Sequence, residues 1–314
     1  MQISSPRELV AAIPHILGFH PHDSIVLVAF DDDEIVAAIR ADIDTVREAM
    51  LAPLLSSIQD VDLAQIVVIY YTNDQAATND WQDSLATHIQ VPILDSLIVH
   101  DSTWRSLLCT DIECCPREGH VIEFGSSVAE TALVFNGSAP FKSREELIES
   151  LRPTLEESGD TNEIAEAVRL LIFNDSVAEH LWVTTQFEKD EWTSGQSIAR
   201  LSVALSDIRV RDALLRSAYD SPHLRAKIRF ALHENLKRIP DEFVAPLATV
   251  LAGCAWLDGN GVLSNAAIAR ALEIDPDYSL AQLLDRALTH GVPPHVWAES
   301  LAAVSMDKCL AGAA

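Results

Sequence analysis

The stretch CTDIECCPREGH, Cys109 to His120, holds three of the chain's five cysteines and one of its eleven histidines. Thiolate sulfur and imidazole nitrogen both suit Zn²⁺, and Cys109, Cys114 or Cys115, His120 and a remote residue such as His100 would complete a tetrahedral set. The spacing is not that of a zinc knuckle, where cysteines roughly two to four residues apart are followed by a second pair, since no second pair follows. Here four residues separate Cys109 from Cys114, and Cys115 follows at once. Three other chemistries use the same residues. Cys109 could form a reversible disulfide with Cys114 or Cys115 if the Cα atoms approach within about 7 Å. A single cysteine could act as nucleophile with His100 or His120 as its base. Small apolar thiols could also simply pack a tight turn closed by Pro116.

A second candidate is cationic. Residues 205–238 carry eight basic and four acidic side chains in a chain whose net charge is −25. In SPHLRAKIRFALHENLKRIP, Ser221 and Pro222 start a helix, and Leu224, Ile228, Leu232 and Leu236 recur at four-residue spacing as an apolar stripe. Arg225, Arg229, His233 and Lys237 form a neighbouring stripe at the same spacing. Such a helix can offer its cations to an anion or an acidic partner, or simply to solvent. Just before it, in DIRVRDALL, Asp207 is placed to cap a helix. Arg211 and Asp212 are adjacent, so they point about 100° apart, and each is expected to find a tertiary partner rather than the other.

The elements that must position these residues fall into two kinds. Over residues 1–140 helical and strand patterns alternate: SPRELVAAIPHILGF has Ser5 as N-cap, Pro6 at the first helical position and Gly18 as C-terminal cap. DSIVLVAF and EIVAAIRADI flank an acidic turn and predict a hairpin. Helical stretches near 44–58 and 75–89, the strand QIVVIYYT and the run VPILDSLIVH toward STWRSLLC complete an α/β pattern. The expectation is a mixed sheet of about five strands covered by helices. From 141 to 314 one helix follows another, and the Gly, Pro and Ser of NGSAPFKS at 136–143 mark a boundary between an α/β domain and an all-α domain. Near 243–290, LAGCAWLDGNGVLSNAAIARALEIDPDY resembles one tetratricopeptide-like hairpin, with Trp256 as a core anchor.

Composition narrows the function. The 47 acidic and 22 basic side chains oppose nonspecific attraction to nucleic acid or anionic lipid. No apolar run approaches the roughly 20 residues of a membrane span, and MQISSPRELV lacks the features of a signal peptide, so a cytoplasmic location is expected. In that compartment thiols stay reduced, which turns clustered cysteines toward metal or redox work. A glycine-rich phosphate loop, a nucleophile elbow and an H-E-x-x-H helix are all missing from the sequence.

Three segments together, SPRELVAAIPHILGFHPHDSIVLV, SLLCTDIECCPREG and AWLDGNGVLSNAAIARALEIDPDYSLAQLLDRALTHGVPPHVW, resemble the actinobacterial domain of unknown function 4192 family, and DIRVRDALL fits its middle region. The resemblance implies no activity, substrate or cofactor. It places Gly18, Phe19, His20 and Pro21, the three clustered cysteines with Pro116, Arg211 and Asp212, and Trp256 and Gly259 on family-like positions. Of His15, His20 and His22, which together suggest nitrogen ligands, only His20 falls on such a position.

The sequence supports three functions. The first is a cytoplasmic, non-catalytic or regulatory module that binds another protein. The second is a metal- or thiol-dependent enzyme or redox sensor built on Cys109–Cys115, with zinc the candidate ion if the site takes a metal. The third is an anion or nucleic-acid binder using helix 222–238.

Overall fold

The computed structural model describes residues 3–31, 34–43, 65–74, 78, 81, 82, 85, 87, 91–125, 127–135, 139–153, 158–171 and 175–312. The helical stretch expected near 44–58, and most of the one near 75–89, lie outside them. The chain divides into two compact units, Met1–Arg144 and Glu145–Ala314.

The first unit opens with α1 (Pro6–Leu17). Ser5 caps it by accepting from the Glu8 N–H, Pro6 begins it, and Gly18 ends it at a φ of 81° with its own N–H bonded to the Pro14 carbonyl. A sheet of six strands follows: β1 (Ser24–Asp31), β2 (Glu34–Asp42), β3 (Gln65–Tyr71), β4 (Ile93–His100), β5 (Thr103–Ser106) and β6 (His120–Val121). Their spatial order is β2-β1-β3-β4-β5-β6. Only β3 and β4 run parallel, and every other neighbouring pair is antiparallel. The expected hairpin β1–β2 is present, and the sequence-predicted five strands become six because β6, two residues long, is too short to show a periodicity.

The central strands are apolar without alternation because both faces are covered. Ile25, Leu27, Ala29, Ile66, Val68, Tyr70 and Ile98 pack on one side. Val26, Val28, Val67 and Ile69 are as deeply buried on the other. Beyond Gly18 the chain is pinned beside residue 141: the His20 N–H donates to the Phe141 carbonyl and the Phe141 N–H to that of Gly18. A short helix, α2 (Val128–Phe135), packs against α1.

The second unit is helical: α3 (Arg144–Glu149, shared with the boundary), α4 (Ser158–Val168), α5 (Ser176–Lys189), α6 (Gly195–Ser206), α7 (Ile208–Asp220), α8 (Pro222–Asn235), α9 (Val244–Leu257), α10 (Gly261–Ile274), α11 (Ser279–Thr289), α12 (Pro294–Ala302) and α13 (Met306–Ala311). Its axis is α9, buried on every side from Val244 to Trp256. A helix that is apolar all round must be enclosed by others, and α7, α8, α10 and α12 pack against it. α9 and α10 make a hairpin around Gly259, whose φ is 73°. Trp256 stacks on Trp297 at 5.8 Å between ring centroids, as the core anchor its apolar helix predicts. Gly253 lets Trp297 come close enough to donate to its carbonyl, and a Cβ there would lie 2.9 Å from Leu215.

One expectation is overturned. Arg211 does bond its neighbour: its Nε donates to Asp212 Oδ1 at 2.8 Å, because the long guanidinium stem spans the angle between adjacent helical positions. It also donates to the Tyr278 hydroxyl at 2.7 Å, a tertiary partner of the kind foreseen.

Asp207 caps α7 as the sequence predicts, accepting from the Arg209 N–H and from its guanidinium. Asp207→Ala should lower stability by about 0.5–2 kcal/mol in urea unfolding. The Arg209 side chain holds the Asp207 carboxyl below its ordinary pKa, against partial burial, with the Arg209 N–H adding to the effect. A carboxylate with a depressed folded pKa stabilises above its unfolded value, near 3.9, and loses that contribution as pH falls. The difference between wild type and variant should therefore be full at neutral pH and shrink below about pH 4.

Candidate functional site

The cysteine loop leaves the sheet at the end of β5 and returns to it at β6, so its ends are fixed by strand pairing. Ser106, the last residue of β5, organises the departure. Its hydroxyl donates to Asp95 Oδ1 on β4 at 2.6 Å and accepts the N–H groups of Leu108 and Cys109 at 3.2 and 3.0 Å. Asp95 also accepts the Ser96 N–H at 2.7 Å. Within the loop, Asp111 accepts from the Glu113 N–H through its side chain and from the Cys115 N–H through its carbonyl, closing a helical turn. Gly119 ends the loop at a φ of 76°, and a Cβ there would meet the Trp104 carbonyl oxygen at 3.0 Å. Glycine is required at that position on both counts.

This folding brings the sulfurs of Cys109, Cys114 and Cys115 within 4.8 Å of one another. Cys114 is exposed and the other two are half-buried. The Cys115 thiol is pushed up to about 11, first by loss of hydration and then by contact with the Cys109 and Cys114 thiols, while the Ser106 N–H directed at it works the other way. A thiol raised this far is a poor nucleophile at neutral pH, since the thiolate is the reactive form. The remaining cysteines play no part: Cys254 is fully buried in α9 and Cys309 lies in α13.

His120 stands outside the sulfur group. Its Nε2 bonds the Cys114 carbonyl oxygen at 2.8 Å, and its ring lies on Trp104 with centroids 4.8 Å apart. The histidine thus holds the loop. His100, the remote ligand considered from sequence, ends β4 with its Nδ1 3.6 Å from Asp101 Oδ2.

Arg225, Arg229 and His233 of the cationic stripe have partners within their own unit. Arg225 Nε and Arg229 Nε lie 2.6 and 3.2 Å from the two oxygens of Asp258. His233 contacts Ser150 Oγ at 3.1 Å and Glu234 at 3.4 Å, and Lys237 is also engaged.

The family-like histidine reaches a different place. A cleft of about 190 Å³ opens where β3 and β4 end, lined by His20, His22, Asp23, Tyr71, Asp101 and Phe124 among others. His20 meets the edge of Phe124 at 5.4 Å. Burial, then the imidazoles of His15 and His22, lowers the His20 pKa, so the ring is neutral at pH 7. His15 instead faces Glu130, 3.6 Å away. Asp23 and Asp101 both have positive φ, 42° and 49°. Asp101 lies in the two-residue turn from β4 to β5, where such values are the rule. The Tyr71 hydroxyl is buried without a hydrogen-bond partner among the described residues. Nothing local in the sequence marks this cleft, since its walls come from five separated segments.

The two units and the thiol cluster define an α/β domain with a cysteine loop at its sheet edge, followed by a helical domain. The chain belongs to the family described as a domain of unknown function (DUF4192), whose model matches residues 6–295. No curated protein and no solved structure matches it.

Cysteine chemistry checks the cluster directly. In metal-free protein, alkylation of Cys115 by iodoacetamide should be slow at pH 7–8 and accelerate toward pH 11, and Cys114→Ser should move that rise to lower pH by removing one raising contact. A Cys115 that reacts as fast as an unperturbed thiol, with a pKa near 8.5, would contradict the geometry.

Proposed function

We propose that this protein is a metal-binding protein that holds a divalent ion, zinc in the first place, on the thiolates of Cys109, Cys114 and Cys115. The observation that carries the reading is the convergence of three sulfurs within 4.8 Å of one another from a loop tied at both ends to the sheet. Tetrahedral zinc with bonds of about 2.3 Å holds its sulfurs roughly 3.8 Å apart, so a small contraction of the loop suffices. The bonds of the Ser106 hydroxyl to Asp95 and to the Cys109 N–H provide outer support for the Cys109 ligand. Binding also resolves the electrostatic problem of three adjacent thiols, because a cation stabilises all three as thiolates and releases their protons.

Three protein ligands leave one coordination position for water or a bound molecule. A zinc ion in such a site supplies Lewis acidity and lowers the pKa of its bound water to about 7. The chain's own contribution is the frame: Asp95 and Ser106 orient the Cys109 end, Asp111 the turn before Cys115, and His120 the carbonyl of Cys114. Binding of another protein, the first function expected from sequence, remains a second reading. The exposed apolar pair Val177 and Leu181, one turn apart on α5, favours it.

Protein purified without chelators or a metal-binding tag should carry about one zinc per chain, with these three thiols protected from thiol reagents until the protein is unfolded or stripped. Cys109→Ser, Cys114→Ser and Cys115→Ser should each lose stoichiometric zinc while retaining the wild-type circular dichroism spectrum. Zinc loading should fall as pH is lowered and the thiols take up protons. Metal-free protein whose three thiols all react in the native state, and which takes up no added zinc, would overturn the proposal.

A further inference from the structure

A second cleft lies beside the first, and the two share Thr72 and Asn73, the residues that follow β3. It holds about 270 Å³ and is lined by His100, Arg105, Arg117 and Glu118 besides that pair. Its position is the one where open α/β sheets bind ligands, outside the carboxyl ends of neighbouring parallel strands.

Charge distinguishes it. The acidic excess of this chain gives most arginines a carboxylate: Arg40 pairs with Asp42, Arg200 with Glu179, and Arg225 and Arg229 with Asp258. Arg105 and Arg117 come from different segments yet line the same cleft, and neither side chain has an ion pair or hydrogen bond among the described residues. Trp104, 8% exposed, also contributes to the lining. Two arginines lining one small space offer guanidinium groups that match the planar, two-point hydrogen bonding of a phosphate or carboxylate.

We propose that this cleft binds a small molecule through a single oxyanionic group, a phosphate or a carboxylate, held by Arg105 and Arg117. Glu118 on the same wall disfavours a polyanion and accepts from a donor on the ligand, so the molecule carries hydroxyl or amine groups beside its anion. The inference does not rest on the metal. Arg117 follows Cys115 by two residues, so a loop that organises the thiols also places one arm of the anion site.

The test uses the full chain, both zinc-loaded and with the neutral chelator 1,10-phenanthroline, titrated with inorganic phosphate and separately with malonate. Either probe should raise the melting temperature saturably in both preparations, and the one acting at lower concentration identifies the oxyanion. In wild-type protein the bound probe should slow modification of Arg105 and Arg117 by phenylglyoxal about tenfold, while exposed Arg169 reacts as before, read by mass spectrometry. Arg105→Gln and Arg117→Gln, each folded by circular dichroism, should weaken binding about tenfold or more. The proposal fails if neither probe saturates, if neither arginine is protected, if the folded variants bind like wild type, or if binding disappears with the chelator, which would move the anion onto the metal.

Discussion

The hydrogen bond from the Ser106 hydroxyl to Asp95 ties the chemistry of this protein to its sheet. Asp95 is on β4 and Ser106 ends β5, so the bond joins two strands already paired and fixes the point where the chain departs. From that hydroxyl the Leu108 and Cys109 amides take their direction. The strand-paired ends, the Asp111 turn and the His120 bond to the Cys114 carbonyl complete the frame, because sulfur–sulfur contact itself supplies little.

The single parallel pair in the sheet has a similar organising effect. Because β3 and β4 run the same way, their carboxyl ends lie side by side, and the segment after Tyr71 and the β4–β5 turn after His100 border two clefts. Loops beginning at Gly18 and ending at Phe124 contribute the remaining walls. The helical unit is organised differently, around a helix buried on all sides, and its cations are largely neutralised by its own carboxylates. Most described arginines of this acidic chain have a carboxylate partner, which is why two unmatched arginines in one cleft carry information.

What the sequence made legible were features with local causes. The caps of α1, the Asp207 cap of α7, the β1–β2 hairpin and the apolar helix around Trp256 each follow from residues within a few positions of one another. The cysteine cluster was visible as a density of ligand types, and its convergence needed only a loop with fixed ends. Features that depend on distant segments were hidden. β6 is defined by its partner and not by its own two residues. The cleft around His20 and Tyr71 joins segments more than fifty residues apart. The pairing of Arg211 with Asp212 followed from the reach of a side chain that periodicity arguments ignore. The contact of His120 with the Cys114 carbonyl was likewise not readable from their spacing.

X-ray absorption at the zinc edge of the loaded protein tests the central claim most directly, because it counts ligands at the metal itself. The account predicts three sulfur scatterers at about 2.3 Å and one lighter oxygen or nitrogen near 2.0 Å. A shell without sulfur, or one with a single sulfur among oxygens, would contradict it and return the cysteine loop to a packing role.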